Sequence, residues 1–243
     1  MDKTDQQSQY TGITEYYDRL MKSGYYDHAG MANVVKSIIG ANRKILELGV
    51  GTGLFAAALL DTDPSYEITG VDITPSMLAL ARDRLGEHAT LIEGDVIHMQ
   101  LDQKFDVAVS SGGVWVIIED GNGFSLGTHD IDLAHETQRL KNVARHLRPG
   151  GQLLLSVQEP HKDQRRPLPG GIVYTQKVRT IDETPEYSCM EKHYSFRDNG
   201  RILAEETLHL GFYKKGVVAA LMAECGFRLR EKRESRFYVY SKM

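Results

Sequence analysis

Cysteine is scarce: the 243 residues of this chain include two, Cys189 and Cys225. Two cysteines make no disulfide scaffold, and such usage fits reduced thiols in a cytoplasmic protein. No C-x-x-C pair and no Cys/His cluster offers a zinc site, so no metal is expected. Basic residues are not in excess. Lys and Arg number 29 against 33 Asp and Glu, a net charge of −4, which excludes the electrostatic footprint of a nucleic-acid binder. No apolar run approaches the roughly 18–20 residues of a membrane span. The opening MDKTDQQSQY is polar and lacks a signal-peptide core. Repeats and low-complexity tracts are also missing. What is left as a partner is a small molecule. Apolar residues make up 41%, enough to bury the core of one α/β domain with an appendage.

The most informative stretch is Lys44 to Phe55, KILELGVGTGLF. Ile45 to Leu48 reads as a buried strand and Leu54 to Leu60 as a helix. Between them Gly49, Gly51 and Gly53 stand at alternate positions. Glycine lets a backbone turn sharply and approach a ligand closely, and a helix start aims free N–H groups at it. The dinucleotide fingerprint G-x-G-x-x-G is not met, because the third glycine comes one residue early and Leu54 takes its place. Glu47, two residues before the first glycine, argues against a pyrophosphate and for a cationic group. Asp72 follows Gly53 by 19 residues, the length of one βαβ unit with a short helix. It ends the alternating strand YEITGV, where a carboxylate can accept from both hydroxyls of a ribose. The competing role, capping the next helix, is weaker, since Thr74 and Pro75 supply a start of their own. Ala89 to Glu93 is a third strand, followed by Gly94-Asp95-Val96.

The E-x-G-x-G-x-G run resembles motif I of the class I S-adenosylmethionine (SAM)-dependent methyltransferases. Asp72, Asp95-Val96 and L-R-P-G-G at 147–151 fit the same family in the same order. The resemblance implies an α/β fold: a seven-stranded, mostly parallel Rossmann-like sheet flanked by helices. It implies SAM as cofactor and S-adenosylhomocysteine as product. The contacts it carries over are Glu47, Gly49, Gly51 and Gly53 for the amino-acid part, Asp72 for the ribose, and Asp95 and Val96 around the adenine, with Ile73 and Met77 as further cofactor-binding candidates. Ser110 at the end of strand four joins them. A Tyr-Asp pair ahead of motif I often lies over the cofactor in small-molecule members, and Tyr17-Asp18 fits best. Tyr26, Tyr25 and Tyr16 compete with it. For any single one of these tyrosines helix packing is the commoner role, and a lid ring near the sulfonium is the other reading.

The remainder should define the acceptor. Residues 1 to about 12 are expected to be mobile, and residues 1–40 form a helical lid segment before a cofactor core at 41–160. Trp115, the only tryptophan, stands where an acceptor pocket should open or, alternatively, walls the core. The [DNS]-P-P-[YFW] motif of nucleic-acid amino-methyltransferases is missing there. Residues 119–130 read as a long Gly-rich loop, with Phe124 and His129 as pocket residues. Strand five ends at Glu159 and His161, which are acid/base candidates or part of a solvated loop. Catalytic candidates are thus Tyr17, Trp115 and His161; pocket candidates are Tyr16, Trp115, Phe124, His129 and Tyr174. Alternation over 172–213, with the turn Asp198-Asn199-Gly200, predicts a three-stranded antiparallel insert. It should cover the acceptor or pair two subunits into a homodimer. Residues 214–243 close the core as a helix and a hairpin. No base is singled out, which favours a small-molecule amine acceptor in the manner of amino-sugar and natural-product N-methyltransferases. An O- or C-methyltransferase using His161 or His129 as base is the alternative, and a non-catalytic SAM binder a third reading.

Overall fold

The computed structural model describes residues 10–121 and 123–243. The mobility expected of residues 1–9 lies outside them. From the N-terminus come α1 (Thr14–Leu20), a π-helical turn, α2 (His28–Ile39), β1 (Lys44–Leu48), α3 (Leu54–Thr62), β2 (Glu67–Asp72), α4 (Pro75–Leu85) and β3 (Ala89–Glu93). Then follow β4 (Phe105–Ser110), β5 (Trp115–Glu119), β6 (Phe124–Thr128), α5 (Leu133–His146), β7 (Leu147–Gln158) and β8 (Gln164–Pro167). The chain ends with β9 (Ile172–Glu183), β10 (Tyr187–Asp198), β11 (Arg201–Lys214), α6 (Lys215–Glu224), β12 (Phe227–Arg233) and β13 (Phe237–Lys242).

The first half behaves as its burial demands. Ile45, Leu46 and Leu48 are fully buried, as befits a strand covered by helices on both faces. β1 pairs in parallel with β2 and β4, β2 with β3, and β4 with β7. The closing hairpin attaches antiparallel, β13 to β7 and β12 to β13. Asp27 caps α2, its carboxylate accepting from the Gly30 N–H at 2.9 Å. Thr74 stands at the start of α4 without a side-chain cap bond. Its N–H donates instead to Asp72 Oδ1 at 2.8 Å.

The sheet is mixed and has thirteen strands, against the seven that the resemblance implies. The cause is β7. Its residues Gln152–Ser156 pair with β13, while Val157 and Gln158 run on to pair with β5. β5 and β6 form an antiparallel hairpin, so residues 119–130 are not a long loop. Gly121 and Gly123 flank its turn, and the apolar residues on either side bury Ile117 and Leu126 completely. β11 then adds to β6, β10 to β11, β9 to β10 and β8 to β9. The insert therefore has the three expected strands plus β8, and one hydrogen-bonded surface joins it to the core.

α1 has seven residues, too few to hold a helix by propensity alone. A third apolar cluster fixes it. Ile13, Leu20 and Met21 pack against Leu168, Tyr174, Phe196 and Leu208 of the insert, and each fully buried side chain contributes about 1.5–3 kcal/mol. Among the described residues no helix is long and apolar enough to cross a membrane.

Candidate active site

The carboxyl ends of β1, β2 and β3 converge on a cavity of about 810 Å³. At the end of β1 the loop is tied down first. The N–H groups of Gly49 and Val50 both donate to the Val71 carbonyl, at 2.8 and 3.1 Å. Gly49 has φ +71°, and a Cβ on it would come within 2.6 Å of Gly113 Cα. The loops after β1 and β4 thus touch glycine to glycine, and no side chain fits between them. Gly51 donates its N–H to Asp72 Oδ2 at 2.8 Å. Gly49 and Gly51 line the cavity; Gly53 does not. Gly53 sits at the start of α3, where a Cβ would lie 2.9 Å from Leu85 Cδ1, so its role is close helix packing.

Asp72 holds this loop and faces the cavity at once. Its Oδ2 accepts the Gly51 N–H and its Oδ1 the Thr74 N–H, and the Thr74 hydroxyl and the Ile73 N–H add to the donors around it. Burial raises its pKa, and those N–H groups oppose the rise. Glu47 is 1% exposed. Its Oε1 accepts from the Ser111 hydroxyl at 3.2 Å, and its Oε2 is buried with no hydrogen-bond partner. Burial pushes its pKa up to about 8, with Asp72 adding to the rise and Ser111 resisting it. An orphaned buried carboxylate oxygen of this kind calls for a cation. Asp95 and Val96 lie on the far side of Asp72 and also line the cavity. Asp95 Oδ1 accepts from Ile97 N–H at 2.9 Å. Asn142 on α5 fixes the loop by donating to the carbonyls of Val96, Ile97 and Met99. Ile73 and Met77 complete this half.

The N-terminal helix closes the cavity from the side. Tyr17 and Tyr26 line it, and the Tyr26 hydroxyl donates to Gln158 Oε1 at 3.1 Å. Asp18 does not reach the cavity. It pairs with Arg84 on α4 at 2.8 Å and with Lys22 at 2.7 Å, and Arg84 also donates to the Thr52 carbonyl. Thr14 Oγ1 and Ser76 Oγ, 2.7 Å apart, add a second latch to α4.

Several expected site residues stand elsewhere. The Ser110 side chain turns inward, donating to the Trp115 carbonyl and accepting its N–H at 2.8 and 2.9 Å; the next residue, Ser111, faces the cavity. Trp115 is 1% exposed and belongs to the core. Its indole N–H donates to Glu136 Oε2 at 2.5 Å, and Glu136 also accepts from Thr128 and Arg139. Phe124 packs on Tyr238 with ring centroids 4.9 Å apart. Tyr16 stacks on Phe196 at 5.6 Å. Tyr174 is buried behind the lining, its hydroxyl donating to Gln176. His161 packs edge-on to Phe212 at 5.7 Å, outside the lining. Of the pocket candidates, His129 lines the cavity.

The sequence reading missed Tyr10, Arg139 and Glu206, which all line the cavity. Tyr10 N–H donates to Glu206 Oε1 at 2.5 Å. Glu206 Oε2 is buried without a partner. Burial raises its pKa, while the N–H groups of Tyr10 and Gly12 draw it down. The signal was present in the alternation of β11. Ala204, Glu206, Leu208, Leu210 and Phe212 share one face, and the carboxylate interrupts an apolar row.

A Rossmann-like sheet with a carboxylate at or just past each of its first three strand ends, one of them orphaned and facing a cavity, defines a protein for an adenosine ligand that carries a cation. Residues 45–151, less than half of the chain, match the methyltransferase domain family, and the fold is similar to that of SAM-dependent methyltransferases of known structure. The chain is 30% identical over 156 residues to the demethylmenaquinone methyltransferase of Deinococcus radiodurans, covering 61% of this chain and 58% of that one. It is 28% identical over 166 residues to a malonyl acyl-carrier-protein O-methyltransferase of a Paenibacillus species, covering 62% and 56%. The chain thus spans just over half the length of these curated relatives. Among solved structures it resembles the sugar N-methyltransferase KedS8 of a Streptoalloteichus species, with TM-score 0.67, 18% identity and coverage of 100% and 96%. The amino pentose methyltransferase CalS10 of Micromonospora echinaspora superposes with TM-score 0.66, 18% identity and coverage of 94% and 97%. At these identities the likeness is one of fold.

The fit of SAM to the residues has a pH signature. Glu47, ordinarily ionised at neutral pH, is held protonated up to about pH 8 by its burial. A cation beside it favours the carboxylate, so binding expels a proton. SAM affinity should therefore tighten as pH rises toward about 8 and flatten beyond. Glu47→Gln should weaken binding and abolish this slope in isothermal titration. A slope that survives the substitution removes Glu47 from the role. The same shift makes the free protein less stable as pH rises from the ordinary carboxylate range to about 8.

Proposed function

We propose that this protein transfers the methyl group of SAM to an amine nitrogen of a small molecule. SAM, when bound, supplies an electrophilic methyl on a sulfonium. Glu47 would hold its ammonium, Asp72 the ribose hydroxyls, and Asp95 with Val96 the adenine. Tyr10, Tyr17 and Tyr26 line the space beyond, where their rings exclude water and favour a cation. The observation that carries the amine reading is Glu206 Oε2, buried, unpartnered and in the cavity wall. An acceptor ammonium gives that oxygen a donor, and its raised pKa suits it to take the proton and leave a nucleophilic lone pair. The in-line displacement itself asks for alignment more than for acid or base.

Methylation of a hydroxyl or carbon with histidine as base has less support. Burial drives the pKa of His129 down to about 4 and that of His161 to about 3, with the Lys192 charge adding to both. Imidazoles so weakly basic remove a phenolic or aliphatic hydroxyl proton poorly. The small-molecule acceptor agrees with a cavity of about 810 Å³ whose wall includes β11. The test is incubation with methyl-labelled SAM and a panel of small amines, phenols and alcohols, with products read by mass spectrometry. Methylated amines support the reading. Phenol or alcohol products alone overturn it, and SAM binding without any turnover points to a non-catalytic binder.

A further inference from the structure

Lys192 is the one residue of β10 whose chemistry contradicts its position. It lies on the inward face, between Met190 and Tyr194, and is 3% exposed. Its Nζ is 4.8 Å from the Tyr194 ring centroid, and it makes no ion pair or hydrogen bond among the described residues. A structural lysine with a free path to solvent snorkels outward; a buried ammonium without a counterion costs several kcal/mol. Two imidazoles stand close enough to feel its charge, His129 after β6 and His161 after β7. Each has a buried Nδ1 with no partner. Tyr10 packs on both His129 and Tyr194, at 5.8 and 6.0 Å. Leu208, opposite Lys192 on β11, lines the cavity with Tyr10 and His129. Two unpartnered imidazole nitrogens and an unpaired ammonium thus gather beside the wall that Tyr10, His129 and Leu208 give the cavity, with Lys192 and His161 outside its lining. The carboxylate closest by register, Glu206, stands opposite Tyr194 and forms no ion pair with Lys192.

We propose that Lys192, flanked by His129 and His161, is an anion subsite, and that the methyl acceptor carries a carboxylate or phosphate group docked there. The proposal deepens the amine reading and rests on it for the word acceptor. Glu206 and Lys192 differ by one inward step along adjacent strands, about 7 Å. A molecule with an amine and an anion a few bonds apart spans that distance. Both imidazoles are neutral at pH 7 and offer N–H donors without a second charge. Burial lowers the Lys192 pKa to about 7, so the subsite loses its charge near neutrality and an arriving anion draws a proton in. The groups that face Lys192 are His129, His161, Tyr194 and Tyr10, with Arg139 acting on His129 from α5.

Calorimetric titration of the S-adenosylhomocysteine-loaded protein with acetate, inorganic phosphate and chloride tests this. Saturable acetate or phosphate binding is expected, chloride serving as the ionic-strength control. It should weaken by roughly tenfold or more in Lys192→Met. The acetate arm should bind more tightly at about pH 6 than at about pH 8, with proton uptake. The tighter of the two anions tells carboxylate from phosphate. Absence of saturation by either up to about 100 mM, or equal affinity in the variant, overturns the subsite. Melting curves establish that the variant is folded, and Lys192→Gln replaces it if it is not. Glu206→Gln separates the two readings: it should leave anion binding intact. Failure of amine turnover with anion binding preserved sinks the amine reading and leaves the subsite standing.

Discussion

Asp72→Ala should raise the dissociation constant for SAM by roughly two to four orders of magnitude. The carboxylate is expected to accept from two ribose hydroxyls, and each charge-assisted hydrogen bond lost costs about 1.5–3 kcal/mol. The same carboxylate accepts Gly51 N–H and Thr74 N–H at 2.8 Å each, so its loss also frees the loop that Gly49 and Gly51 shape. Asn is no milder a replacement. Its amide nitrogen would face one of two backbone donors, and both oxygens of Asp72 are already committed to such donors. Calorimetry with SAM measures the effect, and unchanged affinity would remove the ribose assignment.

Glu206→Gln should lower kcat/KM for the amine by roughly 10²–10⁴-fold, the range of a positioned acid or base, and leave SAM affinity unchanged. Gln keeps the shape and the acceptor for Tyr10 N–H while losing the power to take a proton. The pH profile discriminates further. At a pH above the amine's own pKa the acceptor arrives neutral, so the variant should recover much of its activity there. Equal loss at every pH would mean that Glu206 shapes the pocket and moves no proton.

The cofactor half was legible because its chemistry is local. Glu47, Gly49, Gly51, Asp72 and Asp95 lie at strand ends, and strand, turn and helix signals repeat there in one short rhythm. Ser110 was misjudged because adjacent residues at a strand end point opposite ways, and Gly53 because a glycine in such a loop can serve close helix packing as well as a ligand; spacing alone reveals neither. The 119–130 hairpin was hidden by its glycines, which read as loop although Gly121-Asn122-Gly123 between apolar runs is also a turn signal. The acceptor half was less legible because its residues meet only through pairing across long sequence separations. Tyr10 joins Glu206 across 196 positions, and Lys192 acts on two histidines from unrelated segments. What the sequence did carry was a discord: Gln176, Lys192 and Glu206 each break an apolar row on β9, β10 or β11.

The continuity of the sheet bears on how the chain could be shortened. Residues matching the methyltransferase domain end at 151, inside β7 and ahead of the residues that pair with β5. A fragment cut to that boundary would lose β13 from β7 and β11 from β6. The strand Ser125–Thr128, now bonded to Gly211–Lys214, would be left as a naked edge, and exposed edges recruit other chains. Aggregation of such a fragment would report the missing neighbour strand, and a soluble cofactor-binding piece has to retain β11 along with the core.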